Sequence, residues 1–202
     1  MNTRILWPAV LLALLCGCAA AVPDLMVPPD GISWTPDAPF RDQPKTEIPT
    51  EALAFNHFLK GHQLISEGNF DGALKELEAA SAAKPDEAFL HFRLASFYLR
   101  RGELKKAVVE AEAAAKLEPK NAEHHLLLAG LYSSLGDTQK GLSEYNEVLK
   151  LDDRNQEARL YLGALYLQLE DYARATQRLE ELLKLDPNSA LGHYYLGRVR
   201  AK

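Results

Sequence analysis

The feature that most restricts this chain is a period of 34 residues, which starts near residue 54 and still holds at Gly197. Gly68, Gly102 and Gly136 are spaced by it, as are Ala73, Ala107, Gly141 and Ala175, and also Pro85, Pro119, Asp153 and Pro187. Self-similarity at a fixed step of this length means stacked units, each too small to bury its own apolar face and completed by its neighbours. Within a unit the apolar residues recur at helical spacing in two runs: Leu64, then Ala73, Leu77 and Ala80; Leu94 and Tyr98, then Ala107, Ala111 and Ala114. Each unit therefore reads as a helical hairpin. The glycine after each first helix suits a left-handed C-cap. Asn69, Glu103, Asp137 and Asp171 open the second helix with capping or acidic side chains, and the prolines stop it. Glu170 stands in the turn-glycine position of the fourth unit, and Asp153 in the proline position of the third. One slot of the first helix is always small, being Gly61, Ala95, Ala129, Gly163 and Gly197, because a large side chain there would hold two backbones apart. Val148 and Leu182, where earlier units have Ala80 and Ala114, imply locally wider packing between the third and fourth units.

Leu162-Gly163-x-x-Tyr166, Asp171-Tyr172-x-x-Ala175 and Leu185-Asp186-Pro187-Asn188 resemble the tetratricopeptide repeat. The resemblance covers 54–202, with units at 54–87, 88–121, 122–155 and 156–189 and a partial unit or capping helix at 190–202. It implies an all-α, right-handed superhelical solenoid whose first helices line a concave side. It also implies a protein-binding scaffold. The implied lining is Phe55, Phe58, His62 and Ile65; then Phe89, Phe92, Ser96 and Leu99; then Leu126, Gly130 and Ser133; then Leu160, Ala164 and Leu167. This lining is apolar and aromatic toward its N-terminal end, which suits a hydrophobic peptide or helix of a partner protein gripped by aromatic anchors. Members that hold a C-terminal carboxylate use Lys and Asn where this chain has Phe58 and His62, so that clamp is not expected. Gly197 keeps the slot that a following helix would press against. The unit at 190–202 thus reads as a natural cap, a truncated unit, or an edge completed by another chain, with self-association as one form of that.

No residue set looks catalytic, and no cofactor or metal is expected. His57, His91, His125 and His193 occupy one slot of the period, so successive copies sit a full unit apart along the stack. Metal ligands must converge within about 2.2 Å of one ion, so core packing is the reading for this slot. His-Glu-x-x-His, Gly-x-Ser-x-Gly and a phosphate-cradling Gly-rich loop with Lys do not occur. With 23 Lys+Arg against 28 Asp+Glu, a net charge of −5, the chain lacks the clustered cations that release counterions from nucleic acid.

Residues before the repeats read as an address and a tether. Arg4 precedes an apolar run from Ile5 to Leu15, within the roughly 7–15 residues of a secretory signal and short of the roughly 20 that span a bilayer. Leu15-Cys16-Gly17-Cys18 resembles the lipobox of bacterial lipoproteins, with Cys16 in a slot more often Ala or Ser. The resemblance implies that 1–17 is removed and that Cys18 carries the lipid. The alternative is a plain signal peptide cut near Ala19-Ala20-Ala21. By the enterobacterial sorting pattern Ala19, not being Asp, implies the outer membrane, facing the periplasm. Acylated at Cys18 with two or three chains, the protein would hold durably, since each buried methylene contributes about 0.8 kcal/mol. The segment 18–53 holds seven of the 11 prolines and reads as an extended tether, excluding helix and central strand. Trp34 and Phe40 within it are a docking motif for a partner or pack on the first helix. The resulting expectation is a lipid-anchored periplasmic scaffold that helps assemble or position an envelope complex, such as a secretin, barrel-assembly or polysaccharide-export machine. An adaptor for peptidoglycan hydrolases is the alternative.

Overall fold

The computed structural model describes residues 49–202. The leader at 1–17, Cys18, and the tether up to residue 48 lie outside the described residues. Among the described residues there are nine helices and no strand: α1 (Thr50–Ser66), α2 (Phe70–Ala83), α3 (Ala88–Arg100), α4 (Leu104–Leu117), α5 (Ala122–Ser134), α6 (Thr138–Leu151), α7 (Gln156–Gln168), α8 (Tyr172–Leu185) and α9 (Ala190–Arg200). Helices α3, α5, α7 and α9 start at the unit boundaries read from the period. Helix α1 departs from that reading, starting at Thr50 inside the stretch assigned to the tether. Pro49 is the reason. With φ −50° it sits at the N-cap, and its carbonyl accepts the Leu53 N–H at 3.0 Å, so the last tether proline starts the helix.

All four hairpins turn on one motif. The N–H of Asn69, Glu103, Asp137 or Asp171 donates to the carbonyl five residues back, at 2.8 to 2.9 Å. The motif needs a left-handed residue before that N–H. Gly68, Gly102 and Gly136 supply φ of 77°, 74° and 80°, and Glu170 is held at 60°. Asn69, Asp137 and Asp171 then accept the N–H of Gly72, Lys140 and Arg174, capping α2, α6 and α8. Glu103 makes no such bond and instead pairs with Arg101 and Lys106. The residues before Pro85, Pro119 and Pro187 are extended, with ψ of 78°, 74° and 89°. Asp152 reaches ψ 94° with no proline after it, because its carboxylate accepts from the Arg154 N–H and the Asn155 amide and holds the turn.

Helices α1 to α8 pair as hairpins, each hairpin stacks on the next, and further contacts join α3 to α5 and α7 to α9. Odd helices therefore lie on the inside of the curve. At the small slot, glycine stands opposite a leucine in the first and fourth hairpins. A Cβ on Gly61 would stand 3.2 Å from Leu77 Cγ, and one on Gly163 2.6 Å from Leu179 Cγ. Ala95 and Ala129 fill the same slot in the hairpins where Ala111 and Tyr145 replace that leucine. Val148 and Leu182, expected to loosen the stack, are fully buried. Each such aliphatic side chain contributes about 1.5–3 kcal/mol of burial.

Candidate functional site

The main hollow of the inner face lies between α3, α5 and α7, with a volume of about 550 Å³. Phe92, Leu99, Leu126 and Ser133 line it as the sequence implied, together with Gly130. Its floor is Tyr145, which the sequence reading did not single out. Although it belongs to α6, its hydroxyl lies 3.8 Å from where a Cβ on Gly130 would sit, so the two residues share the floor of the hollow. Burial pushes this phenol above its ordinary pKa, opposed by a hydrogen bond with Ser133. Tyr161 stacks on Tyr145 at 5.5 Å between centroids and is itself exposed. Two signals pointed here: Gly130 in an inner slot that other units fill with His62, Ser96 and Ala164, and a tyrosine where other units carry Leu77, Ala111 and Leu179.

The remaining implied lining divides. Phe58, His62, Ile65 and Ser96 border a crevice of only about 30 Å³ with Arg93 and Arg100. Phe58 stands edge-on to Phe89 at 5.3 Å, and with Phe55 the pair flanks a separate hollow of about 250 Å³ near the helix starts. Leu160 and Leu167 do not line the central hollow. Leu167 is buried and Leu160 packs against the same core cluster, because α9 lies over α7 and α8 at this end. Ala164 and Leu167 edge a polar hollow of about 410 Å³ with Arg198 and Lys202.

The charge on this face changes sign along the stack. Arg93 and Arg100 stand beside the N-terminal crevice, Glu123 and Glu157 at the central hollow, and Arg198 and Lys202 at the C-terminal one. None of Arg93, Arg100, Glu123 and Glu157 joins an ion pair among the described residues. Arg93 lies 6.0 Å above the Phe89 ring. The arrangement offers shape, aromatic surface and charge.

The histidine slot is polar rather than apolar filling, which corrects the core-packing reading. Nδ1 of His57, His91 and His125 lies 2.7 Å from a carboxylate oxygen of Glu76, Glu110 and Glu144 in the second helix of the same hairpin. Nε2 of His91, His125 and His193 lies 2.9, 3.1 and 2.9 Å from the carbonyl oxygen of Pro85, Pro119 and Pro187. His91 and His125, which make both contacts, join hairpin mate and preceding turn. Hydrogen bonds from Lys60 and then His57 hold the Glu76 carboxyl below its usual range. In the fourth hairpin Arg159 takes the histidine slot and Arg178 the glutamate slot, and Glu181 answers both at 3.6 and 3.0 Å. Among the described residues no three metal-ligating side chains converge.

Comparison with known proteins agrees with this architecture. The family model of the tetratricopeptide repeat matches residues 64–131 and 132–198. No curated protein matches the chain by sequence. Among solved structures, MamA superposes with a TM-score of 0.70 at 17% identity, over 74% of this chain and 81% of MamA. A tetratricopeptide repeat protein from Parabacteroides merdae ATCC 43184 gives 0.68 at 28% identity, over 73% and 60%. YrrB, a TPR protein with an unusual peptide-binding site, gives 0.65 at 19% identity, over 73% and 76%. With MamA and YrrB the likeness is one of fold.

Proposed function

Because this chain belongs to the tetratricopeptide repeat family, whose solenoids are protein–protein interaction scaffolds and generally not catalysts, we propose that it is a periplasmic scaffold that holds a partner in its central groove. In this reading Cys18 carries the lipid, the anchor sits in the outer membrane, and the scaffold helps assemble or position an envelope complex. One observation carries the groove: a hollow of about 550 Å³ floored by Tyr145, walled by Phe92 and Tyr161, and bordered by the unpaired carboxylates of Glu123 and Glu157. A concave, largely apolar site with few polar groups suits an apolar side chain of a peptide or helix, with a cationic neighbour reaching the carboxylates. A structure of the same fold, YrrB, carries a peptide-binding site, which supports using the repeat surface this way. The anchor rests on the lipobox-like Leu15-Cys16-Gly17-Cys18 and the outer-membrane placement on Ala19. Among the described residues no helix is long and apolar enough to cross a membrane.

Crosslinking in cells followed by identification of partners tests the reading, with Gly130→Leu as the blocking variant. An added Cβ at Gly130 meets nothing closer than the Tyr145 hydroxyl at 3.8 Å, so the variant should keep its helicity while partner recovery is lost. Undiminished recovery from that variant would remove the groove assignment. Secretin, barrel or export components among the partners support the assembly role; cell-wall hydrolases would replace it with the adaptor role. Cys18→Ser should move the protein to the soluble fraction, and continued membrane retention would undo the anchor.

A further inference from the structure

Helix α3 divides the inner face into two strips of opposite charge. Phe92 and Leu99 border the central hollow, whereas Arg93, Ser96 and Arg100 of the same helix border the closed crevice beside α1. The hollow itself is lined by Glu123 of α5 and Glu157 of α7, which occupy the position of the period where α1 and α3 carry Phe55 and Phe89. That slot turns from aromatic to acidic where the inner face opens. Each glutamate lies in the first turn of its helix, where a carboxylate complements the helix dipole. This role leaves its charge available to a ligand, because no Lys or Arg lines the hollow and neither glutamate has an ion-pair partner among the described residues.

The groups on both strips are held in place. Tyr161 is exposed, and stacking on the buried Tyr145 fixes its ring beside the carboxylates. An aromatic face next to two carboxylates favours a guanidinium over an ammonium, since the planar group stacks on the ring while its N–H groups fork onto oxygens. On the basic strip Arg93 lies 6.0 Å above the Phe89 ring, and Arg100 stands about two turns further along α3 on the same side. Helices packed side by side are about 8–10 Å apart, the span of about three residues of extended chain. One short segment can therefore touch both strips.

Resting on the groove reading above, we propose that the inner face recognises a charge reversal in its partner. The occupant is an extended segment with an apolar residue over Tyr145 and, beside it, an arginine that stacks on Tyr161 and pairs with Glu123 and Glu157. An aspartate or glutamate about three residues away pairs with Arg93 and Arg100. Charge complementarity chooses this occupant and also its direction, with the acidic residue toward α1.

The test begins with selection of a random peptide library, displayed on phage, against the full chain. Arginine next to an apolar residue should be enriched, with an acidic residue at a fixed offset. A fluorescein-labelled peptide of the selected sequence, followed by anisotropy, should bind about tenfold or more weakly to the combined Glu123→Gln and Glu157→Gln variant. Replacing its arginine by citrulline, the neutral isostere, should cost as much on the unaltered chain and little more on that variant. Combining Arg93→Glu with Arg100→Glu should turn the selected acidic position basic. None of these four side chains has an ion pair to lose among the described residues, so thermal melts by circular dichroism should stay cooperative in every variant. Selected peptides that lack arginine but are lost in Gly130→Leu overturn this inference and leave the groove reading standing. Absence of any enrichment, or binding indifferent to the two glutamine substitutions, overturns it as well, and partner crosslinking in Gly130→Leu then decides the groove reading separately.

Discussion

The first two hairpins and the next two present the same helices in the same register, yet the inner face of one is closed and that of the other open. Beside α1 and α3, Phe58, His62 and Ile65 leave about 30 Å³, whereas α3, α5 and α7 enclose about 550 Å³. Two slots explain the difference. At the inner slot His62 and Ser96 give way to Gly130, and at the slot of Leu77 and Ala111 stands Tyr145, whose hydroxyl comes within contact distance of that glycine. Large apolar residues on the inner face of a solenoid fill it, because interiors close-pack wherever side chains allow. A site opens where the slot is small and a neighbour supplies a rigid aromatic floor.

The largest effect expected from this contrast separates Phe58 from Phe92, two residues one period apart. Phe58 bridges two core clusters and meets Phe89 edge-on, so Phe58→Ala should destabilise the fold by about 2–3 kcal/mol, below the full cost of a wholly buried phenylalanine. Partner recovery should survive wherever that variant remains folded. Phe92 instead walls the open hollow, beside the His124 ring at 5.1 Å. Phe92→Ala should lose partner recovery with a smaller stability change. Urea midpoints and crosslinking yields, measured on both variants, break the comparison if the two losses come out reversed.

The small slot gives the next effect. In the fourth hairpin a Cβ on Gly163 would stand 2.6 Å from Leu179 Cγ, too close to the branch point of a fully buried side chain for a cheap adjustment. Gly163→Ala should therefore destabilise by about 1–3 kcal/mol. Gly61→Ala, facing Leu77 at 3.2 Å, should cost less despite the same chemistry. Adding Leu179→Ala to Gly163→Ala recreates the Ala95 and Ala111 combination of the second hairpin, and its loss should be smaller than the sum of the two single losses. Additive losses in chemical denaturation would mean that the two positions do not share one space.

Period, hairpins, turn glycines and caps were all legible in the sequence, because each is set by residues within one unit: Gly102 fixes its own φ, and Asp171 bonds an N–H three residues on. The start of α1 was missed because proline density argues against helix on average, while a single proline at an N-cap favours one. Half of the groove was legible for a similar reason. Phe92, Leu126 and Ser133 line it by register alone, but whether a register position is open depends on what the neighbouring helix brings, as Tyr145 and α9 do. The histidine slot was placed correctly on the period and given the wrong chemistry. Its glutamate, 19 residues on, is a longer-range partner than a helix-face pattern displays.

The smallest effect concerns the turns, where three glycines in the first three hairpins are followed by Glu170 in the fourth. All four residues hold positive φ, from 60° to 80°, and all four turns close with the same hydrogen bond. A side chain in that conformation costs roughly 1–2 kcal/mol, and glycine gives back about 0.4–1 kcal/mol through the freedom it adds to the unfolded chain. Those opposing amounts leave a small net preference for glycine. Glu170→Gly should stabilise the protein by about 0.5–1 kcal/mol, and Gly102→Ala should destabilise it by a similar amount. Differential scanning calorimetry reads this as shifts of opposite sign, each of about 1–4 °C for a chain of this size. A Glu170→Gly melting point that stays level or falls would mean that the glutamate side chain supplies a compensating interaction, and the fourth turn would then differ from the other three in kind.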